Sequence, residues 1–122
     1  MMNETVVVLG ASDKPERYSH KALMALKAHG HTVIPIHPNL DKIEGVKVIP
    51  RLANVRGPVD TVTLYVGPAV LEPLIAEVIA LRPKRIISNP GSENEKMETA
   101  ARNAGIHYLE ACTLVMLVTG QY

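Results

Sequence analysis

The stretch TVVVLGASDKPERYSHKAL, residues 5–23, constrains the fold of this chain more than any other. Residues 5–9 form an unbroken apolar run, the pattern of a strand buried on both faces. Gly10 then allows the backbone to turn sharply. After a short polar loop, residues 19–29 place Ala22, Leu23, Ala25 and Leu26 on one helical face, and Gly30 supplies a stop. The segment HTVIPI at 31–36 reads as a second strand with Pro35 near its end. Together these make a βαβ unit of about thirty residues, the size of a mononucleotide-binding half.

The same alternation continues. Residues 37–45 read as a loop, and 46–50 as a short edge strand ended by Pro50. Residues 51–59 read as a short helix or irregular turn, and 60–66 as a strand. Pro68 suits the first turn of a helix over 69–81, with Pro73 early enough to be tolerated. A fifth strand is expected at 84–88. Ser92 followed by Glu95 is a capping box, which predicts a helix over 93–103 ended by Gly105. A last strand covers 106–111, and the apolar tail from 112 either packs on the sheet or makes a homodimer contact. The expectation is one α/β domain over 1–122, Rossmann-like and doubly wound. Its mainly parallel sheet has five or six strands, with helices on both faces.

Composition narrows the function. The chain is 47% hydrophobic but has no Phe or Trp and only four Tyr, so its core must be aliphatic. A net charge of +1 argues against broad electrostatic capture of nucleic acid or an acidic membrane. The apolar runs are too short for a membrane span, and MMNET lacks the charged and apolar regions of a secretory leader. The single Cys112 cannot form an intrachain disulfide. These features point to the cytoplasm.

In open parallel sheets ligands bind beyond the carboxyl ends of the strands, which here means the loops 10–18, 37–42, 66–70 and 89–92. In the first, Ala11 and Ser12 keep side chains small enough for a ligand to approach the main chain, and Ser12 can donate to a phosphate oxygen. Lys14, Arg17 and Lys21 place positive charge beside the helix start near Ser19. That opposes the helix dipole, which prefers acids there, and a phosphorylated ligand offsets the conflict. The alternative is an ordinary βα turn with solvated bases. The Gly-x-Gly-x-x-Gly pattern is absent and no acid follows the second strand until Asp41. Unphosphorylated NAD is therefore disfavoured, whereas Lys42 could meet an extra phosphate, as in NADP or coenzyme A. Tyr65, Val66 and Pro68 in the third loop suit an adenine face or an alkyl-amide arm. In the fourth, SNPGS, Gly91 permits close backbone approach, while Glu93 and Glu95 disfavour an anion.

Taken together, these segments resemble the small stand-alone coenzyme A-binding proteins with a Rossmann-type fold, related to the nucleotide-binding domain of the succinyl-CoA synthetase alpha subunit. The resemblance spans nearly the whole chain: VVLGASDKPERYS, GHTVIPIHPN, EGVKVIPRLANVRGPVD and NPGSENEKMETAARNAGIHYLEAC carry it. It implies that the pyrophosphate and ribose phosphate sit around Gly10, Ala11, Ser12, Lys14, Arg17 and Ser19. Pro38, Asn39 and Lys42 would border the adenosine. Tyr65, Val66 and Pro68 would line the nucleotide or the start of pantetheine, and Asn89, Pro90, Gly91 and Ser92 would face its outer end. The chain departs from the family at Tyr18-Ser19, where Gly is frequent, and at His37, where Asn is common. The synthetase's catalytic histidine belongs to a later domain with no counterpart here, so thioester ligation is not implied.

The five histidines lack a Cys or acid cluster at ligand spacing, so no metal is expected. Cys112 is either an ordinary buried thiol or a contact for the terminal thiol of coenzyme A, able to form a mixed disulfide under oxidation. With no paired acid–base candidates, the expected function is non-catalytic binding of coenzyme A or an acyl-CoA, regulatory or carrier in role. The alternative is an enzyme subunit using NADP or an acyl-CoA, with catalytic residues supplied by a partner chain.

Overall fold

The computed structural model describes residues 3–122. Five strands form one parallel sheet: β1 (Thr5–Leu9), β2 (Thr32–Ile36), β5 (Thr61–Leu64), β6 (Arg85–Ser88) and β7 (His107–Glu110), ordered β2-β1-β5-β6-β7. A separate two-stranded hairpin joins β3 (Lys42–Ile43) to β4 (Val46–Lys47). The fold is a Rossmann-like, doubly wound α/β sheet.

The centre of the sheet is fixed by the apolar run of β1. Val6, Val7 and Val8 are completely buried, and successive residues feed opposite faces. Val7 and Leu9 join Val62, Leu64 and Ile86 under α2 (Pro68–Leu71), α3 (Ile75–Ala80) and α4 (Glu95–Asn103). Val6 and Val8 meet Leu23 and Leu26 of α1 (Tyr18–Ala28) and Leu117 of α5 (Thr113–Val118). Pro35 lies in β2, an edge of the sheet, where its missing N–H costs no ladder bond.

Several boundaries differ from the sequence expectation. The segment 46–50 is not a strand of the main sheet. Val46–Lys47 pairs antiparallel with Lys42–Ile43, inside what reads as a loop, and only Ile49 bridges to Ile36 of β2. The helix expected over 69–81 is interrupted by a 3-10 turn at Glu72–Leu74, because Pro73 has no N–H to continue the α pattern. Ser92 is not the cap of α4. Asn94 fills that place, its Oδ1 accepting from the Met97 N–H at 2.9 Å. Ser92 instead closes the preceding loop, donating its N–H to the Asn89 carbonyl at 2.8 Å and accepting from the Ser88 hydroxyl at 2.7 Å. The apolar tail forms α5, packed beside α1. No helix among the described residues is long and apolar enough to cross a membrane.

Asp60 ties together the opposite edge of the sheet. Its carboxylate accepts from the Thr5 N–H at 2.8 Å and pairs with Lys84 at 3.1 Å. Its carbonyl accepts from the N–H groups of Lys84 and Arg85. The Thr5 hydrogen bond, with Lys84 second, holds the Asp60 carboxyl below its ordinary value. A carboxyl depressed on folding contributes stability above its unfolded pKa, and that contribution is lost as pH falls through the folded value. Asp60→Asn should therefore lower the midpoint of thermal unfolding at neutral pH. The gap from wild type should narrow as the pH is lowered through the carboxylate range; a gap constant with pH would contradict this role.

Candidate functional site

In the order of this sheet the chain runs outward from β1 to β2, then returns to lay β5 on the other side of β1. The connections leaving β1 and β5 therefore diverge and open a crevice at their carboxyl ends. Gly10 lies at its base with φ +91°, and a Cβ there would come within 2.7 Å of the Tyr65 carbonyl oxygen and 2.8 Å of Val66 Cγ1. Only glycine lets the two loops approach this closely.

Beyond Gly10, Ala11 donates its N–H to the Ile36 carbonyl at 3.3 Å, and the Ser12 hydroxyl accepts from the Lys14 N–H at 3.1 Å. Accepting that bond leaves the Ser12 hydroxyl proton available for a ligand. Arg17 precedes α1 as its N-cap but provides no side-chain acceptor, and the first turn holds no acid. In the first turn of α1 the His20 and Lys21 N–H groups donate to the Arg17 carbonyl, which leaves those of Tyr18 and Ser19 without an intrahelical acceptor. Among the described residues, Lys14, Arg17 and Lys21 form no ion pair. The loop thus combines backbone donors, a hydroxyl and unneutralised cations.

Three adjoining cavities follow this edge of the sheet. The central one, about 430 Å³, is lined by Gly10 to Lys14, Arg17, Tyr18, Ser19, His37 and Tyr65. Gly10 and His37 also border a second cavity of about 280 Å³, enclosed by Pro38, Pro50, Leu52, Val66, Val70 and Leu74, with Arg51 and Glu77 as its charged side chains. Tyr18 and Tyr65 are shared with a third, of about 520 Å³, walled by Asn89, Pro90, Cys112, Leu114 and Val115. The result is one trough, apolar at both ends and cationic in the middle.

The structure brings twelve of the sequence-expected positions to this trough: Gly10, Ala11, Ser12, Lys14, Arg17, Ser19, Pro38, Tyr65, Val66, Asn89, Pro90 and Cys112. Asn39, Lys42, Pro68, Gly91 and Ser92 do not line it. Asn39 donates its N–H to His37 Nδ1 at 3.0 Å, and Lys42 faces Lys47 across the hairpin. Pro68 begins α2, and the Gly91 N–H is taken by the Glu93 carboxylate at 2.8 Å. Sequence reasoning gave no site role to Asp13, Arg51, Glu77, Leu114 or Val115. Tyr18 and His37 were visible only as departures from the family pattern.

Asn89 builds the wall of the third cavity. Its Nδ2 donates to the Thr63 hydroxyl at 2.6 Å and the Leu64 carbonyl at 2.8 Å, while its Oδ1 accepts from the Thr113 N–H at 2.9 Å. Thr63 and Thr113 also share a hydrogen bond of 2.8 Å. This side chain joins the ends of β5 and β6 to the start of α5. The nearby Tyr65 phenol is buried without a hydrogen-bond partner among the described residues. Burial raises its pKa far above the ordinary tyrosine value, so Tyr65 offers a neutral ring.

Two substitutions probe this framework. Gly10→Ala should cost about 2 kcal/mol or more, from the positive φ and the contact with backbone. Asn89→Ala should cost roughly 2–4 kcal/mol, because it removes three hydrogen bonds and strands the buried Thr113 N–H. Chemical denaturation measures both, and a loss below about 0.5 kcal/mol in either would contradict the packing described.

The comparisons with known proteins agree with this architecture. The CoA binding domain family matches residues 4–118. A crystal structure of an uncharacterized protein superposes over 100% of both chains, with a TM-score of 0.93 and 37% identity. A Thermus thermophilus protein superposes with a TM-score of 0.88 at 28% identity, over 98% of this chain and 91% of that one. The uncharacterized protein YneT of Bacillus subtilis is 35% identical over 63 residues, a match spanning 52% of this chain and 47% of YneT. By the extent of the family match, the chain belongs to the CoA binding domain family.

Proposed function

We propose that the trough binds coenzyme A or an acyl-CoA and performs no reaction of its own, serving a regulatory or carrier role in the cytoplasm. The observation that carries this reading is the order of its three cavities, apolar, cationic and apolar, joined through shared residues. Coenzyme A has the same order, with an adenosine, a phosphate-rich centre and a pantetheine arm.

In this reading the pyrophosphate lies against Gly10, Ala11 and Ser12, with Lys14 and Arg17 neutralising its charge and the Ser19 end of α1 supplying backbone donors. The adenine lies between Pro38 and Val66. Arg51, rather than Lys42, takes the phosphate on the ribose, because it is the cation that borders the second cavity. The pantetheine passes between Tyr18 and Tyr65 toward Pro90, and its sulfur end falls near Cys112. The apolar third cavity, which has no charged lining residue, suits this arm better than the polar nicotinamide and ribose of NADP.

Thermal unfolding in the presence of coenzyme A, acetyl-CoA, NAD and NADP tests the assignment. A ligand at a hundred times its dissociation constant adds about 2.7 kcal/mol to stability. Coenzyme A or its acetyl ester should raise the midpoint, and NAD should not. Replacing both Lys14 and Arg17 with Gln should weaken coenzyme A binding at least about tenfold and flatten its salt dependence. A larger stabilisation by NADP than by coenzyme A would overturn the reading, as would unchanged affinity in the double variant.

A further inference from the structure

His20 lies in the first turn of α1 with its side chain only 6% exposed, and both ring nitrogens face oxygen acceptors. Nδ1 is 3.0 Å from the Ser12 carbonyl oxygen, and Nε2 is 3.3 Å from Glu44 Oε2. A carbonyl can only accept, so Nδ1 carries a proton. In the neutral ring Nε2 would then turn a lone pair toward the carboxylate, whereas the imidazolium donates to both partners.

Glu44 reaches this place from the hairpin turn, where Glu44 and Gly45 both have positive φ, 50° and 77°. A two-residue turn of that kind favours Asn, Asp or Gly at its first position, so glutamate is placed there against local preference. Ile43, just before it, is 1% exposed and packs in the cluster that contains Ala11 and Leu23. The hairpin is thereby anchored over the loop after β1.

The Ser12 carbonyl belongs to a trans peptide, so drawing it toward His20 turns the Asp13 N–H the opposite way. Ser12 and Asp13 both line the central cavity. We propose that His20 is the positioning residue of the anion loop. As an imidazolium it braces the Ser12–Asp13 peptide against Glu44, so that an anion in the central cavity and the proton on His20 stabilise one another. The coupling is reciprocal. A polyanion favours the charged ring, and affinity for the polyanion falls as pH rises through the titration of His20.

The other charged groups on the elements packed around this ring are Asp13, Lys14, Glu16 and Arg17 of the loop, Lys21 of α1, and Asp41, Lys42 and Lys47 of the hairpin segment. Glu44 is the one that pairs with the ring among the described residues, and α5, packed on α1, carries no charge. His37 lines the same cavity, so the test must resolve the two histidines.

The proposal rests on the anion-binding reading above, and the test separates the two. Histidine ring resonances, assigned with His20→Asn and His37→Gln, give the titration midpoint of His20 in the free protein, with saturating coenzyme A and with inorganic pyrophosphate. The His20 midpoint should rise by about half a pH unit or more with either anion. His20→Asn retains an amide donor for Ser12 but no titrating proton. It should still bind coenzyme A, and between about pH 5.5 and 8 its affinity should fall about threefold less than that of wild type. Glu44→Gln, at an exposed turn, should lower the His20 midpoint in the free protein. If coenzyme A binds and the His20 midpoint stays fixed, the brace is refuted and the coenzyme reading stands. If pyrophosphate moves the midpoint and coenzyme A does not bind, the brace stands and the coenzyme reading falls. Movement with neither anion, or an unchanged midpoint in Glu44→Gln, overturns the proposal.

Discussion

The contact on which the rest of the trough depends is between two pieces of backbone, Gly10 after β1 and Tyr65 after β5. The Tyr65 N–H donates to the Leu9 carbonyl at 2.9 Å, so the two strands remain paired to their last residue before their connections separate. A side chain at Gly10 would enter the Tyr65 carbonyl. Without one, the central cavity reaches down to main chain at Gly10. The divergence of chain paths at this point makes a crevice, and the small residues Gly10, Ala11 and Ser12 set its depth.

The polar groups along this edge divide into those already satisfied and those left open. Asn89, Thr63 and Thr113 are bonded to one another and to backbone, and they join β5, β6 and α5. The loop after β6 also carries its own anion, the Glu93 carboxylate on the Gly91 N–H. At the equivalent place after β1 no acid stands in the first turn of the helix and no side chain caps it. Two strand-to-helix junctions of one sheet thus differ in electrostatic character. The first carries no acid of its own at the helix start, and the other is already neutralised from within.

How much of this was visible beforehand follows from the range of the interactions involved. The buried β1, the turn at Gly10 and the helix after it were legible because each is specified by neighbouring residues: a continuous apolar run, one glycine and a helical period. The central cavity draws on the same short stretch, so most of its lining could be named. The second cavity gathers residues from 36–38, 50–52 and 66–77, and no local pattern brings Arg51 or Glu77 beside Pro38. The choice of cap for α4 was also non-local. Ser92 and Asn94 are comparable caps by composition, and the loop bonds of Ser92 to Ser88 and Asn89 leave the helix to Asn94. The tail gave no clear period, and α5 is fixed by the Asn89 bond to Thr113 and the packing of Leu117 on Leu23 and Leu26.

The strand order also bears on the direction in which coenzyme A would lie, on the reading proposed for it. The phosphate centre must sit after β1, the only one of the three stations where free cations meet open backbone donors. The two ends are then distinguished by charge. The adenosine of coenzyme A bears a phosphate and the pantetheine does not. The cavity on the β2 side contains Arg51, whereas the one beside β6 and α5 has no charged lining residue. A reversed ligand would carry a doubly ionisable phosphate into an apolar cavity with no cation, at a desolvation cost that nothing there offsets. The same reversal would lay the flexible pantetheine beside Arg51 and leave that cation unpaired by the ligand. On that reading the order of the strands, by placing one cavity on each side of β1, would favour the orientation that brings the sulfur end of the coenzyme toward Cys112.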